Sequence, residues 1–213
     1  MQRRPHRPRR LRRRRQRPRL RDARPRHRVL PSAVTVDAKS PTALEVIARP
    51  LTPEAYAPYG EVIAARADAP RVANHGTAQA WDGLATLAST RPDAVTSAAL
   101  FRCAPHQDPH LEVRWLERHP ASTQLFAPLG GGRYLLVVAR GGDQPDLSTL
   151  AAFVAEGACA ITYAPGVWHH PMVALDAALD FVNVLAVDGS DGDCDERAYD
   201  PPCARVTLGA STT

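Results

Sequence analysis

Between residues 95 and 187 the chain is a succession of short apolar, β-branched and aromatic runs, each closed by proline, glycine or aspartate. Val95–Cys103, Leu111–His119, Thr123–Pro128 and Arg133–Ala139 come first, and Ala158–Tyr163 and Ala178–Val187 follow. Runs of this length and spacing predict strands of an all-β barrel or sandwich. One segment departs from the pattern. Asp146 can cap a helix over Leu147–Glu156, with Leu147, Leu150, Ala151 and Val154 on one face and Gly157 as its stop. Upstream, Ala43–Ala48 alternates as a first strand. Thr52-Pro53-Glu54 opens a short helix that Gly60 ends, and Glu61–Ala65 returns as a strand. Residues 66–73 read as a loop and Asn74–Thr77 as a polar turn. Gly189–Glu196 is acidic but lacks the ligand spacing of a calcium loop, so it reads as solvated.

Charge divides the chain unevenly. Residues 1–28 hold fifteen arginines against the single acid Asp22, so the net charge of +5 hides a strongly basic tail on an acidic body. Such a tail has almost no apolar residues with which to offset the entropy of folding, and a disordered extension is expected. Phosphate contacts through these arginines are the one route to nucleic acid. The expected division is a basic tail and linker over 1–42, one domain over 43–200, and a loosely ordered tail over 201–213. No apolar run approaches the roughly 20 residues of a membrane span, so no membrane partner is expected. Cys103, Cys159, Cys194 and Cys203 form no C-x-x-C pair; reduced thiols in a cytoplasmic protein are expected.

Chemistry concentrates in two places. In Ala164-Pro165-Gly166-Val167-Trp168-His169-His170-Pro171 a Pro-Gly turn hands over to adjacent histidines. Strand alternation splits that pair, so His169 faces inward and His170 supports it or faces a partner. In the run Leu111–His119, Trp115, Glu117 and His119 share a face, and Gln124 follows five residues later. The two stretches are similar to the paired motifs of cupins, with Glu117 and His119 standing for the two histidines of the first motif and Gln124 for its glutamate. The fold expected is therefore mainly β, a cupin-like double-stranded β-helix barrel with one or two short helices. Glu117, His119, Gln124 and His169 converge in such a lumen and offer a mixed nitrogen and oxygen set suited to a divalent metal such as Ni, Mn, Fe or Zn. The same groups can instead hold a small polar substrate by hydrogen bonds. Arg102, alone among apolar neighbours, is the candidate clamp for a carboxylate.

The series Leu51–Gly60, Asn74–Thr77, Leu116–Leu129 (L-E-R-H-P-A-S-T-Q-L-F-A-P-L), Pro145–Phe153 (P-D-L-S-T-L-A-A-F) and Val167–Pro171 (V-W-H-H-P) resembles the ureidoglycolate lyase family over about residues 44–200. The resemblance implies a cupin-like homodimer that splits ureidoglycolate into glyoxylate and urea in allantoin catabolism. Cleavage needs a base for the hydroxyl proton and an acid for the departing nitrogen, tasks that suit histidine. The expected catalytic residues are His119, His169 and Glu117. Arg102, Asn74, Gln124, Trp168 and His170 are the expected substrate contacts. Three alternatives stay open: an amidohydrolase that releases ammonia, another metal-dependent cupin enzyme, and a non-catalytic small-molecule sensor on the same barrel.

Overall fold

The computed structural model describes residues 43–209; the arginine-rich stretch and its linker lie outside the described residues. In chain order, β1 is Leu44–Ile47 and β2 Arg49–Pro50, followed by the short helix α1, Pro53–Tyr56. β3 is Val62–Ile63, and β4 (Arg71–Ala73) and β5 (Ala78–Ala80) form a hairpin. β6 (Val95–Cys103), β7 (His110–Val113), β8 (Trp115–Arg118), β9 (Gln124–Pro128) and β10 (Arg133–Ala139) come next. β11 is Ala151–Glu156, β12 Ala160–Tyr163, β13 Trp168–His169, β14 Val173–Ala174 and β15 Leu179–Val187. β16 (Asp195–Ala198) and β17 (Ala204–Thr207) close the series.

The strands build three stacked sheets. A seven-stranded sheet runs β16-β8-β13-β10-β11-β2, with β14 also paired to β10. A five-stranded sheet, β3-β12-β9-β15-β6, faces it across the barrel lumen, and a three-stranded sheet, β1-β17-β7, covers its other side. This is the cupin-like, mainly β barrel expected. Burial on both faces explains the composition of β10, whose Tyr-Leu-Leu-Val-Val-Ala run is buried throughout. Tyr134, Leu136 and Val138 join Phe126, Phe153, Ile161 and Phe181 in the lumen core. Leu135, Val137 and Ala139 join Leu116, Trp168, Val113 and Val206 in the outer core. The aromatic rings meet edge to face, Tyr134 against Phe181 at 5.2 Å and Tyr56 against Phe153 at 5.6 Å, and plug one end of the lumen.

Three expectations are corrected. The helix over Leu147–Glu156 is a single 3₁₀ turn, Leu147–Thr149, followed by β11. Asp146 does cap, accepting from the Ser148 N–H at 3.1 Å. Beyond it, six residue pairs join β11 to β10, and both of its faces are covered, so its apolar residues suit a buried strand as well as a helical stripe. The run Leu111–His119 breaks at Arg114, sending β7 to the three-stranded sheet and β8 to the seven-stranded one. Finally, the segment beyond Pro201 is not loose at Ala204–Thr207. β17 is the middle strand of its sheet, with Ala204 and Val206 fully buried.

The α1 forecast is realised closely. The Thr52 hydroxyl accepts from the Ala55 N–H at 3.2 Å, and Pro53 occupies the first turn. Gly60 is required by packing, because a Cβ there would lie 1.9 Å from the Thr162 carbonyl oxygen. Gly60→Ala is expected to cost about 2 kcal/mol and lower the melting temperature by about 5 °C, checked by thermal unfolding.

Candidate functional site

The site is built by register. Ala164-Pro165-Gly166-Val167 is a tight turn in which the Val167 N–H bonds the Ala164 carbonyl at 3.1 Å and Gly166 takes φ 79°. Proline before a positive-φ glycine is the pattern such a turn demands. The Gly166 N–H also donates to the His119 carbonyl at 2.9 Å, so the turn that launches β13 pins the end of β8 as well. On β13, His169 stands opposite Val138 and Glu117, both on the lumen face. Trp168 stands opposite Ala139 on the outer face.

The lumen end away from the aromatic plug is therefore polar. His169 Nε2 lies 3.4 Å from Glu117 Oε1, and the His119 and His169 rings are 5.6 Å apart. At 3.4 Å the His169–Glu117 contact is a loose pair, longer than a well-made hydrogen bond, and Nε2 has no closer partner. Across the lumen, Tyr163 stacks flat on His169 with centroids 3.9 Å apart, and Gln124 sits opposite Tyr163 in the β9–β12 pairing. Among the described residues, the buried side-chain polar atoms without a partner are His119 Nε2, His169 Nε2, Gln124 Oε1 and Tyr163 Oη. Buried polar groups normally find partners, so four orphans around one lumen end mark a place for a ligand.

The tautomers follow from the other ring nitrogens. His119 Nδ1 donates to the Asp193 carbonyl at 2.8 Å and His169 Nδ1 to the Val167 carbonyl at 3.0 Å. A carbonyl cannot donate, so each Nδ1 carries a proton, and in His119, once neutral, Nε2 presents a lone pair. Ligand atoms of Glu117, His119 and His169 lie within 4.8 Å of one another. Burial and the nearby His169 lower the His119 pKa despite the Asp193 carbonyl, which keeps that ring neutral. Burial pushes the Glu117 carboxyl up, but His169, His119 and His170 together outweigh it and hold the group below its usual range. Burial raises the Tyr163 hydroxyl far above its ordinary value, so it stays a neutral donor.

Other candidates lie elsewhere. Arg102 points away from the lumen, with its side chain 74% exposed and paired to Asp180 in a two-bond fork at 2.8 Å. It neighbours apolar residues on an edge strand and is not buried among them. Asn74 is exposed at the tip of the β4–β5 hairpin, with φ 50°, and within this chain it does not reach the lumen. Trp168 is fully buried in the outer core, its Nε1–H donating to the Gly142 carbonyl at 3.0 Å between the guanidinium groups of Arg118 and Arg197. It is packing, not a lumen contact. His170 is half-buried beside the cluster, its Nδ1 donating to the Pro171 carbonyl at 2.8 Å. A groove of about 1050 Å³ lies elsewhere, bordered by Leu51, Glu61, Arg66 and Cys159. It touches none of the four orphan atoms, and their chemistry identifies the site better than its volume does.

Two contributors were not singled out from the sequence. Tyr163 is the last residue before the Ala-Pro-Gly turn, and its place one strand-period after Ile161 was the available signal. The Asp193 carbonyl left none, because a main-chain acceptor in an acidic loop looks like any other.

The sequence model of the ureidoglycolate lyase family matches residues 43–206, nearly the whole described region. The chain belongs to the ureidoglycolate lyase family. Ureidoglycolate lyase of Pseudomonas fluorescens strain Pf-5 is 37% identical over 154 residues, covering 72% of this chain and 91% of its own. That of Pseudomonas putida strain W619 is 39% identical over 150 residues, covering 70% and 89%. Among solved structures, a dTDP sugar isomerase from Desulfovibrio desulfuricans G20 aligns over 57% of this chain and 79% of its own, at 20% identity and a TM-score of 0.38, too slight a likeness to carry an argument.

Proposed function

We propose that this chain is a ureidoglycolate lyase, and that Glu117, His119, His169, Tyr163 and Gln124 carry the reaction. The observation behind the assignment is the set of four orphaned polar atoms at one lumen end, in a chain of this family. Ureidoglycolate carries a hydroxyl, a carboxylate and a ureido nitrogen on one carbon. Its cleavage moves the hydroxyl proton away, forms the aldehyde C=O, breaks the C–N bond and protonates the departing urea nitrogen. No water or oxidant is consumed. A neutral imidazole with its Nε2 lone pair facing the lumen is the base this requires, and His119 is held in that form. Glu117 beside His169 balances the positive charge that a captured proton creates. The proton that His119 takes is returned to the departing nitrogen, so the site ends as it began. The Tyr163 hydroxyl, kept neutral, supplies a hydrogen bond there, and Gln124 adds a polar contact from the same side. Placing the substrate in allantoin catabolism follows from the family.

A second use of the same groups is favoured by three ligand atoms within 4.8 Å of one another. Glu117, His119 and His169 match the two-histidine, one-carboxylate set that binds divalent transition metals, and both imidazoles have the backbone-anchored Nδ1–H that metal-ligating histidines show. A bound Ni, Mn or Zn ion would supply Lewis acidity toward the substrate's oxygens. Incubating the purified protein with ureidoglycolate, with and without chelator, and assaying glyoxylate, urea and ammonia tests both statements. Glyoxylate with urea is expected; ammonia instead of urea would indicate the amidohydrolase, and binding without turnover the sensor. Activity lost on chelation and restored by one equivalent of metal supports the metal role, and unchanged activity removes it.

A homodimer is part of the reading. β6 is a nine-residue edge strand exposed along almost its whole length, with Val95, Leu100 and Phe101 on show and Arg102 its only charge. Such an edge is an open template for another strand, and a second copy related by a two-fold axis is the natural cover. Among the described residues no helix is long and apolar enough to cross a membrane. The four cysteines are free, which fits the cytoplasmic location we assign.

A further inference from the structure

We propose that Arg91 and Asp193 form a latch that fixes the tautomer of His119, which makes both positioning residues of this site. The proposal rests on the reading of Glu117, His119 and His169 as the reactive cluster. Arg91 lies just ahead of β6, and its guanidinium enters the loop between β15 and β16 from outside. Nη1 donates to Asp188 Oδ1 at 3.0 Å, Ser190 Oγ at 3.1 Å and Asp193 Oδ1 at 2.6 Å, and Nη2 donates to the Gly192 carbonyl. The other carboxylate oxygen of Asp193 accepts from the Gly189 N–H at 2.8 Å, and the Asp193 N–H donates to the Ser190 carbonyl at 3.2 Å. The carboxylate and N–H of Asp193 are thus tied down, and the main-chain carbonyl of that same residue receives the His119 Nδ1–H.

Isolated surface ion pairs contribute little, but this one is a network on a planar fork with a side chain only 22% exposed. Gly192 preserves the approach, since a Cβ there would stand 2.7 Å from Arg91 Nη2. The consequence for chemistry is one proton. While the Asp193 carbonyl is in place, His119 presents a lone pair at Nε2. Once the loop drifts, the ring is free to carry its proton on Nε2 and to turn an N–H toward the cluster, useless both as a base and as a metal ligand. The acidic loop between β15 and β16 is therefore the outer support of His119.

The test reads the tautomer directly. Nitrogen-15 histidine NMR on the full chain, treated with chelator at neutral pH, is expected to show His119 as the Nδ1–H form, the signal being assigned by its loss in His119→Gln. Arg91→Ala and Asp193→Ala are expected to convert it to the Nε2–H or exchanging form, with zinc affinity about 10- to 100-fold weaker, the usual effect of losing an outer support of a ligand. Millimolar methylguanidinium should return Arg91→Ala toward the wild-type spectrum. Should either alanine variant fail to fold, Arg91→Lys and Asp193→Asn, which keep the size but lose the fork or the charge, are expected to show a mixture of tautomers. An unchanged Nδ1–H signal in folded variants overturns the latch. Because the tautomer needs no substrate, a shift in a protein that does not cleave ureidoglycolate leaves the latch standing and overturns the lyase reading alone.

Discussion

His169→Ala is expected to lower kcat/KM on ureidoglycolate by about a thousandfold, while the melting temperature moves by only a few degrees. The loss follows from geometry: His169 is the lumen-facing residue of β13, its Nε2 is unpartnered, and it sits against both Glu117 and Tyr163. The small effect on stability follows from opposing terms. Truncation removes the bond to the Val167 carbonyl, about 1 kcal/mol, and the stack on Tyr163, again about 1 kcal/mol. It also removes a buried polar atom with no partner, which costs the folded state about 1–3 kcal/mol. Steady-state glyoxylate assays beside thermal unfolding check both halves. Near-wild-type turnover would remove His169 from the reaction.

Trp168→Ala, one residue earlier, is expected to do the reverse. Trp168 is fully buried, fills the outer core with Leu116, Val137 and Val206, and bonds the Gly142 carbonyl. Truncating a buried tryptophan costs about 3–5 kcal/mol, a large part of the 5–15 kcal/mol that holds a typical domain together. The melting temperature should fall by about 10 °C, with kcat per folded molecule close to wild type. Urea denaturation gives the stability, and activity normalised to folded fraction gives the rest. A variant that melts normally but turns over slowly would return Trp168 to the substrate contacts.

These neighbours show what can be read from local pattern. Alternation along a strand separated His169 from its neighbours by face, and the Pro-Gly turn announced where the strand begins. That reasoning also kept Glu117 and His119 together, because both follow a two-residue period on β8 and its continuation. It failed for Arg102, where an arginine among apolar residues suggested a clamp for a carboxylate. Those apolar residues lie on an edge strand open to solvent, and the arginine reaches Asp180 on the neighbouring strand. It failed for the Leu147–Glu156 helix for a related reason. A strand covered on both faces loses its alternation, and periodicity alone cannot tell it from a helix.

By itself, then, the sequence determined the run of strands, the capped turn at Thr52, the type of turn before His169, and the family. Each depends on neighbours within a few residues, where backbone sterics and side-chain period decide. Only the tertiary structure decided that Tyr163 stacks on His169, that Gln124 stands beside Tyr163 on the neighbouring strand, and that a carbonyl in an acidic loop sets the proton on His119. Those contacts join residues up to 74 positions apart. They arise from strand register and sheet stacking, which no local pattern encodes.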